Sequence, residues 1–177
     1  TSIGLDSGSA LDLRLGQDGD QTQGLNAGFG SADANIDIDN GVTDLFLAVD
    51  GEDTSDGNSS GVAVTTGTVA ASGVQNLTIS QSNEAAFTAT QIDAGDLTNL
   101  TIEGDAGQAT GAAIDSQIVT LNAGNDLATI DASNAAYSTH IGADNASFAS
   151  RSFTTVDTAS DAEITLSDQN DSFAWNA

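Results

Sequence analysis

Three short stretches carry the residue types and spacing that could hold a hard cation. They are Asp18 and Asp20 in Gly16-Gln17-Asp18-Gly19-Asp20, Asn122, Asn125 and Asp126 in Asn122-Ala123-Gly124-Asn125-Asp126, and Asp168, Asn170 and Asp171 in Ser167-Asp168-Gln169-Asn170-Asp171. Calcium takes roughly six to eight oxygen ligands from carboxylates, amides, carbonyls and water, and flexible acidic turns supply them. The nonapeptide calcium repeat G-G-x-G-x-D-x-U-x places an aliphatic residue inward and holds the ion with Asp and turn carbonyls. Gly124-Asn125-Asp126 keeps the centre of that pattern, and Asn170-Asp171-Ser172-Phe173 keeps its end. Neither is complete, and no two stand in tandem. The competing role for each Asn and Asp is to cap its own turn through a bond to a nearby backbone amide.

Other chemistry has little to draw on. His140 is the single histidine, and Cys and Lys are absent, so a nucleophile–base pair could use only Ser with His140 and an Asp. His140 stands where a neighbouring repeat carries Thr, which points to a surface position on a strand. Paired Asp residues can hydrolyse glycosides, but where Asp is this common a pair carries no information. No catalytic residue is assigned, and the chain is read as a non-enzyme. Sequons include those at Asn58, Asn76, Asn99 and Asn145. Asn76 and Asn99 open strands, and Asn58, in a loop, is the one taken as a candidate for glycosylation.

Charge narrows the partners. Asp and Glu number 26 against two basic residues, Arg14 and Arg151, for a net charge of -24. A nucleic-acid partner is excluded because nothing neutralises phosphates, and an anionic membrane surface is excluded for the same reason. Such a chain repels itself when compact and needs counter-cations or acids spread along an elongated shape. With no Cys there are no disulfide bonds, which fits an extracellular bacterial protein stabilised by metal and also fits many cytosolic ones. No apolar stretch is long enough for a membrane helix. The start at Thr1 suggests a processed product or a part of a longer chain.

The elements that would position these turns are short strands. Leu11-Asp12-Leu13-Arg14-Leu15 and Ile36-Asp37-Ile38-Asp39 alternate with period two, and Leu45-Phe46-Leu47-Ala48-Val49 is the most apolar run. Residues 50–60 read as an acidic loop, dividing an N-terminal β-rich acidic segment (1–60) from a repeat-like β-solenoid region (61–177) within one continuous domain. From residue 61 an aliphatic-Thr-aliphatic motif recurs around Thr78, Thr101, Thr120 and Thr165, with His140 as a degraded copy. A second series, out of phase, runs through Ile92-Asp93, Ile114-Asp115, Ile130-Asp131 and Val156-Asp157. Spacings of about 20 residues on two tracks suit a stack of strands in which each unit needs its neighbours to bury its apolar face. The predicted fold class is all-β, a β-solenoid or β-roll-like stack with acidic turns; antiparallel strands in a β-sandwich are the alternative. Helix is confined to single turns at 83–87 and 133–137, and Trp175 is expected to cap the last strands.

Gly73-Val74-Gln75-Asn76-Leu77-Thr78-Ile79, Ile92-Asp93-Ala94-Gly95-Asp96-Leu97-Thr98-Asn99-Leu100-Thr101-Ile102 and Leu121-Asn122-Ala123-Gly124-Asn125-Asp126 resemble the RTX-related, calcium-dependent S-layer and surface-adhesin-like secreted proteins of Gram-negative bacteria. The resemblance covers residues 61–177. It implies type I secretion, calcium-driven folding and self-assembly at the cell surface. The expected function is a structural, self-assembling extracellular layer or filament subunit stabilised by Ca²⁺. Its partners would be copies of itself and cell-surface polysaccharide, with no nucleic acid and no membrane insertion. The alternative is a carbohydrate-binding adhesin or fibre-shaft domain.

Overall fold

The computed structural model describes residues 2–3, 9–16, 35–50, 63–82, 85–104, 115–123, 126–136, 138–141, 152–155, 163–165 and 172–173. Fourteen strands lie within them: β1 (Ser2–Ile3), β2 (Ser9–Gly16), β3 (Ile36–Ile38), β4 (Val42–Asp50), β5 (Ala63–Ala70), β6 (Asn76–Ser82), β7 (Ala86–Ala94), β8 (Asn99–Gly104), β9 (Asp115–Ala123), β10 (Thr129–Ala135), β11 (Ser138–Ile141), β12 (Ser152–Thr155), β13 (Glu163–Thr165) and β14 (Ser172–Phe173). No helix occurs among the described residues.

The strands form two parallel sheets. The first runs β1-β3-β5-β7-β9-β11-β14, with β12 also paired to β9; the second runs β13-β10-β8-β6-β4-β2. From β1 to β11 the chain changes sheet at every step, so each strand lies beside the strand two places earlier. Every pairing among the described residues is parallel, which does not fit the antiparallel alternative. Parallel neighbours need a crossover between them, and here the crossover is the strand of the opposite sheet.

Period-two sequences become strands because one face is buried. In β6 and β8 the aliphatic residues Leu77, Ile79, Leu100 and Ile102 are buried while Thr78 and Thr101 are half-exposed. Register aligns these into columns. Leu11, Leu45, Leu77, Leu100, Ile130 and Ile164 are successive partners across the second sheet. Val69, Ile92 and Leu121 do the same in the first. One hydrophobic core joins both sheets, with Phe87 as its largest fully buried side chain.

The turns are stacked as well. Val42, Val74 and Leu97 each donate a backbone N–H to the carbonyl three residues earlier, on Asp39, Ala71 and Ala94. The same β-turn thus recurs in three layers, and each places a buried aliphatic residue at the corner. Backbone bonds tie one turn to the next: Gln75 N–H to Thr43 O at 2.8 Å, Thr98 N–H to Gln75 O at 2.8 Å, and Ala128 N–H to Thr98 O at 2.9 Å. Connections in the other direction are uneven in length, running from Gly16 to Ile36, Asp50 to Ala63 and Gly104 to Asp115.

The first sheet also carries an interruption in its alternation. Inward alternation in β7 slips between Ala89 and Ile92, leaving Thr90 exposed. The register carries the slip to its neighbours, since Thr66 and Thr68 of β5, and Ile118 and Thr120 of β9, sit opposite Ala89 and Gln91.

Several expectations need correction. Thr78, Thr101 and Thr165 do share one outward row, but its intervening member is Asp131, while Thr120 and His140 lie in the first sheet. The two Asn-Asp stretches therefore fall on different connections: β9 to β10 passes from the first sheet to the second, and β13 to β14 passes back, while residues 124–125 and 166–171 themselves lie outside the described residues. Ser133, Asn134 and Ala135 belong to β10, and Ala86 and Phe87 to β7, where the sequence allowed at most a short helical turn. Parallel pairing outcompetes a lone turn of helix, which makes too few bonds for the dihedrals it fixes. Ile114, Val156 and Trp175 lie outside the described residues.

Candidate functional site

The outer face of the second sheet carries a ladder of side-chain bonds. Asp44, Asn76 and Asn99 are neighbours in register. Asn76 Nδ2 donates to Asp44 Oδ1 at 2.7 Å, and Asn99 Nδ2 donates to Asn76 Oδ1 at 2.8 Å. Parallel in-register strands place like positions about 4.8 Å apart, close enough for one carboxamide to bond the next. Asn76 and Asn99 open their strands two residues after a stacked turn, and Asp44 is the third residue of β4, two residues after its own turn. Thr43 Oγ1 donates to Asp44 Oδ2 at 2.8 Å. The bond from Asn76, then that from Thr43, holds the Asp44 carboxyl below its ordinary value, because both favour the charged form.

Two residues along each strand, the outward row reads Asp12, Phe46, Thr78, Thr101, Asp131 and Thr165. Between this row and the ladder lies an open groove of about 360 Å³, lined by Asp12, Asp44, Phe46, Asn76 and Thr78. Phe46 is half-buried, whereas Asp12, Asp44 and Asn76 are exposed. The groove therefore offers one aromatic surface among oxygen acceptors.

A second polar group sits on the first sheet. Gln91 Nε2 donates to both carboxylate oxygens of Asp93, at 2.7 and 2.8 Å. Asn122 Nδ2 donates to Asp93 Oδ1 from the neighbouring strand. In the second sheet, Asp131 Oδ1 accepts the backbone N–H of Ser133 at 2.9 Å. The Ser133 side chain, and then its backbone, hold the Asp131 carboxyl below its usual value.

Of the expected cation ligands, Asn122 lies in β9 and is engaged with Asp93, while Asp126 is exposed in the turn before Leu127. Asp18, Asp20, Asn125, Asp168, Asn170 and Asp171 lie outside the described residues. Among the described residues no three His, Cys, Asp or Glu side chains converge. Asn122 and Asp126 alone fall short of the oxygen shell that calcium requires. His140 stands opposite Gln117 and Ser172 in the first sheet.

The ladder was not foreseen, although a signal was present. Asn76-Leu77-Thr78-Ile79 and Asn99-Leu100-Thr101-Ile102 are identical tetrapeptides, 23 residues apart. Both carry the aliphatic-Thr-aliphatic repeat and a sequon, and in the structure the amide nitrogen of each Asn serves the ladder. Asn58 and Asn145 lie outside the described residues.

No family model, curated protein or solved structure matches this chain. Among the described residues no helix is long and apolar enough to cross a membrane.

Proposed function

We propose that successive strand pairs are coils of a parallel β-solenoid, and that the protein is a non-catalytic, self-assembling subunit of an extracellular layer or filament. The observation that carries this reading is the unbroken column from Leu11 through Leu45, Leu77, Leu100 and Ile130 to Ile164. One aliphatic position per coil, stacked in register, is how a repeat unit too small to bury its own face becomes stable. An elongated stack also spaces the carboxylates that a charge of -24 would otherwise crowd. Asp12, Asp37, Asp39, Asp44, Asp96 and Asp126 are all exposed.

Calcium is the proposed stabilising cation. Its support is the acid excess and the Asn-Asp turns; ligands beyond Asn122 and Asp126 would come from residues outside those described. Circular dichroism and light scattering through a CaCl₂ titration from EDTA, with MgCl₂ as control, test the proposal. A gain of β signal followed by scattering that rises with protein concentration supports it. A chain already folded and monomeric in EDTA, and unchanged by Ca²⁺, would refute both the metal and the assembly.

The groove at Phe46 favours a second reading, a carbohydrate-binding adhesin or fibre-shaft domain. Aromatic rings stack on sugar faces, and carboxylate and amide groups bond hydroxyls. A neutral glycan retained by the wild type and lost by Phe46→Ala at unchanged stability would move this reading to the front.

A further inference from the structure

We infer that Asn40 is a self-modification site, held unreactive while the turn that carries Ser72 and Gly73 stays stacked on it. Asn40-Gly41 is the one Asn-Gly pair in the chain. The reaction open to such a pair is intramolecular, so it gains from proximity. The Gly41 backbone nitrogen attacks Cγ of Asn40, the new N–Cγ bond closes a cyclic imide, and the Cγ–Nδ2 bond breaks. Nδ2 leaves as ammonia, taking up the proton that Gly41 gives up. Water then opens the ring, leaving either aspartate or an isoaspartyl link with an extra methylene in the main chain. Glycine in second place suits this chemistry because it has no side chain to crowd its nitrogen.

In the fold both reacting groups are engaged. Gly41 N–H donates to Asp39 Oδ1 at 3.0 Å, and the bond from Val42 N–H to Asp39 O, also 3.0 Å, closes the turn around it. Asn40 Oδ1 accepts the Ser72 hydroxyl, which holds its carboxamide toward the next turn. The isoaspartyl product does not fit either. Gly73 lies so close that a Cβ there would stand 2.8 Å from the carbonyl carbon and 2.9 Å from the Cα of Asn40. A methylene added to the main chain at Asn40 has no room while the two turns stay stacked. Asn40 is exposed, so the stacking protects it and exclusion of water does not. Opening of this layer starts the reaction, and the isoaspartyl form then cannot restack.

Peptide mass spectrometry tests this, by following conversion of Asn40 to acid in the full chain at mildly alkaline pH. Each sample is incubated in buffer where the chain is folded by circular dichroism, and in urea where it is not. The folded wild type should react slower than the unfolded by about tenfold or more, since the reaction waits on local opening. Ser72→Ala should react about fivefold faster than wild type in buffer, the shift in opening when one net hydrogen bond is lost. Gly73→Ala should be faster still, and Gly95→Ala should match wild type. In urea all four chains should react alike. Ser72→Ala loses a single exposed bond and so carries the test even where Gly73→Ala does not fold. A wild type that reacts as fast folded as in urea overturns the proposal. So does a folded Ser72→Ala no faster than wild type, or a Gly95→Ala as fast as Gly73→Ala.

Discussion

Gly73 and Gly95 occupy successive stacked turns, and exchanging each for alanine measures what that stacking is worth. A Cβ at Gly73 would lie 2.8 Å from the carbonyl carbon and 2.9 Å from the Cα of Asn40, in the turn one layer away, and closer still to its carbonyl oxygen. Carbon atoms rest at about 3.5–4.0 Å, so the two turns would have to part by roughly 1 Å. At that separation the bond from Gln75 N–H to Thr43 O, now 2.8 Å, passes beyond useful length. The side-chain bond from Ser72 Oγ to Asn40 Oδ1 spans the same gap and would go with it. At about 1 kcal/mol net per bond, with some overpacking strain, Gly73→Ala should cost about 2–3 kcal/mol. At Gly95 a Cβ meets nothing within 4 Å. Gly95→Ala should then be neutral or stabilise by up to about 1 kcal/mol, through the unfolded chain. Urea denaturation followed by circular dichroism, under conditions where the wild type is folded, reads the difference. Equal midpoints for the two variants would refute the stacked-turn geometry.

Leu77→Ala empties a fully enclosed position in the aliphatic column and should cost about 2–5 kcal/mol. Thr78→Ala, one residue away and half-exposed, should stay within about 0.5 kcal/mol; similar losses for both in urea melts would contradict the inward assignment. Asp44 and Asp131 have carboxyls held below the ordinary value of 3.8, so each contributes stability above that pH that is lost as pH falls through the folded-state value. Asn76→Ala should therefore raise the Asp44 value towards 3.8 in a carboxyl NMR titration and leave Asp131 unchanged; an unmoved Asp44 would show that the ladder bond is not made in solution. Asn122→Asp places a second carboxylate beside Asp93 across the strand pair, where facing like charges cost up to about 1 kcal/mol. Its stability in EDTA should fall. Full recovery with CaCl₂ but not MgCl₂ would locate a cation there, and indifference to CaCl₂ would place any calcium elsewhere.

Gly104 marks a further point where the backbone constrains the sequence. Its φ of 126° lies where side chains are disfavoured, and a Cβ would meet the backbone of Gln81 on the adjacent strand. Nothing in the local run Ile102-Glu103-Gly104 distinguishes this glycine from one in a loop. Its role depends on how closely β6 and β8 approach.

Much of the strand content was legible in the chain alone. The alternation in Leu11–Leu15, Ile36–Asp39 and Leu45–Val49, and the aliphatic-Thr-aliphatic runs at Leu77–Ile79 and Leu100–Ile102, mark strands β2, β3, β4, β6 and β8 with the right residues inward. A period of two is a local property, set by which side chains must leave water, so it survives without knowledge of any partner. The sheet that each strand joins is not local. Thr101 and Thr120 stand in near-identical contexts yet belong to opposite sheets, because the intervening connection decides where the chain re-enters. Parallel direction, the shared slip near Thr90, the column running from Leu11 to Ile164 and the Asp44–Asn76–Asn99 ladder arise only once strands 32 and 23 residues apart are brought side by side. The sequence by itself determined which face of each strand turns inward. Tertiary structure alone decided which residues on the outward faces became neighbours, because that depends on pairing between distant segments.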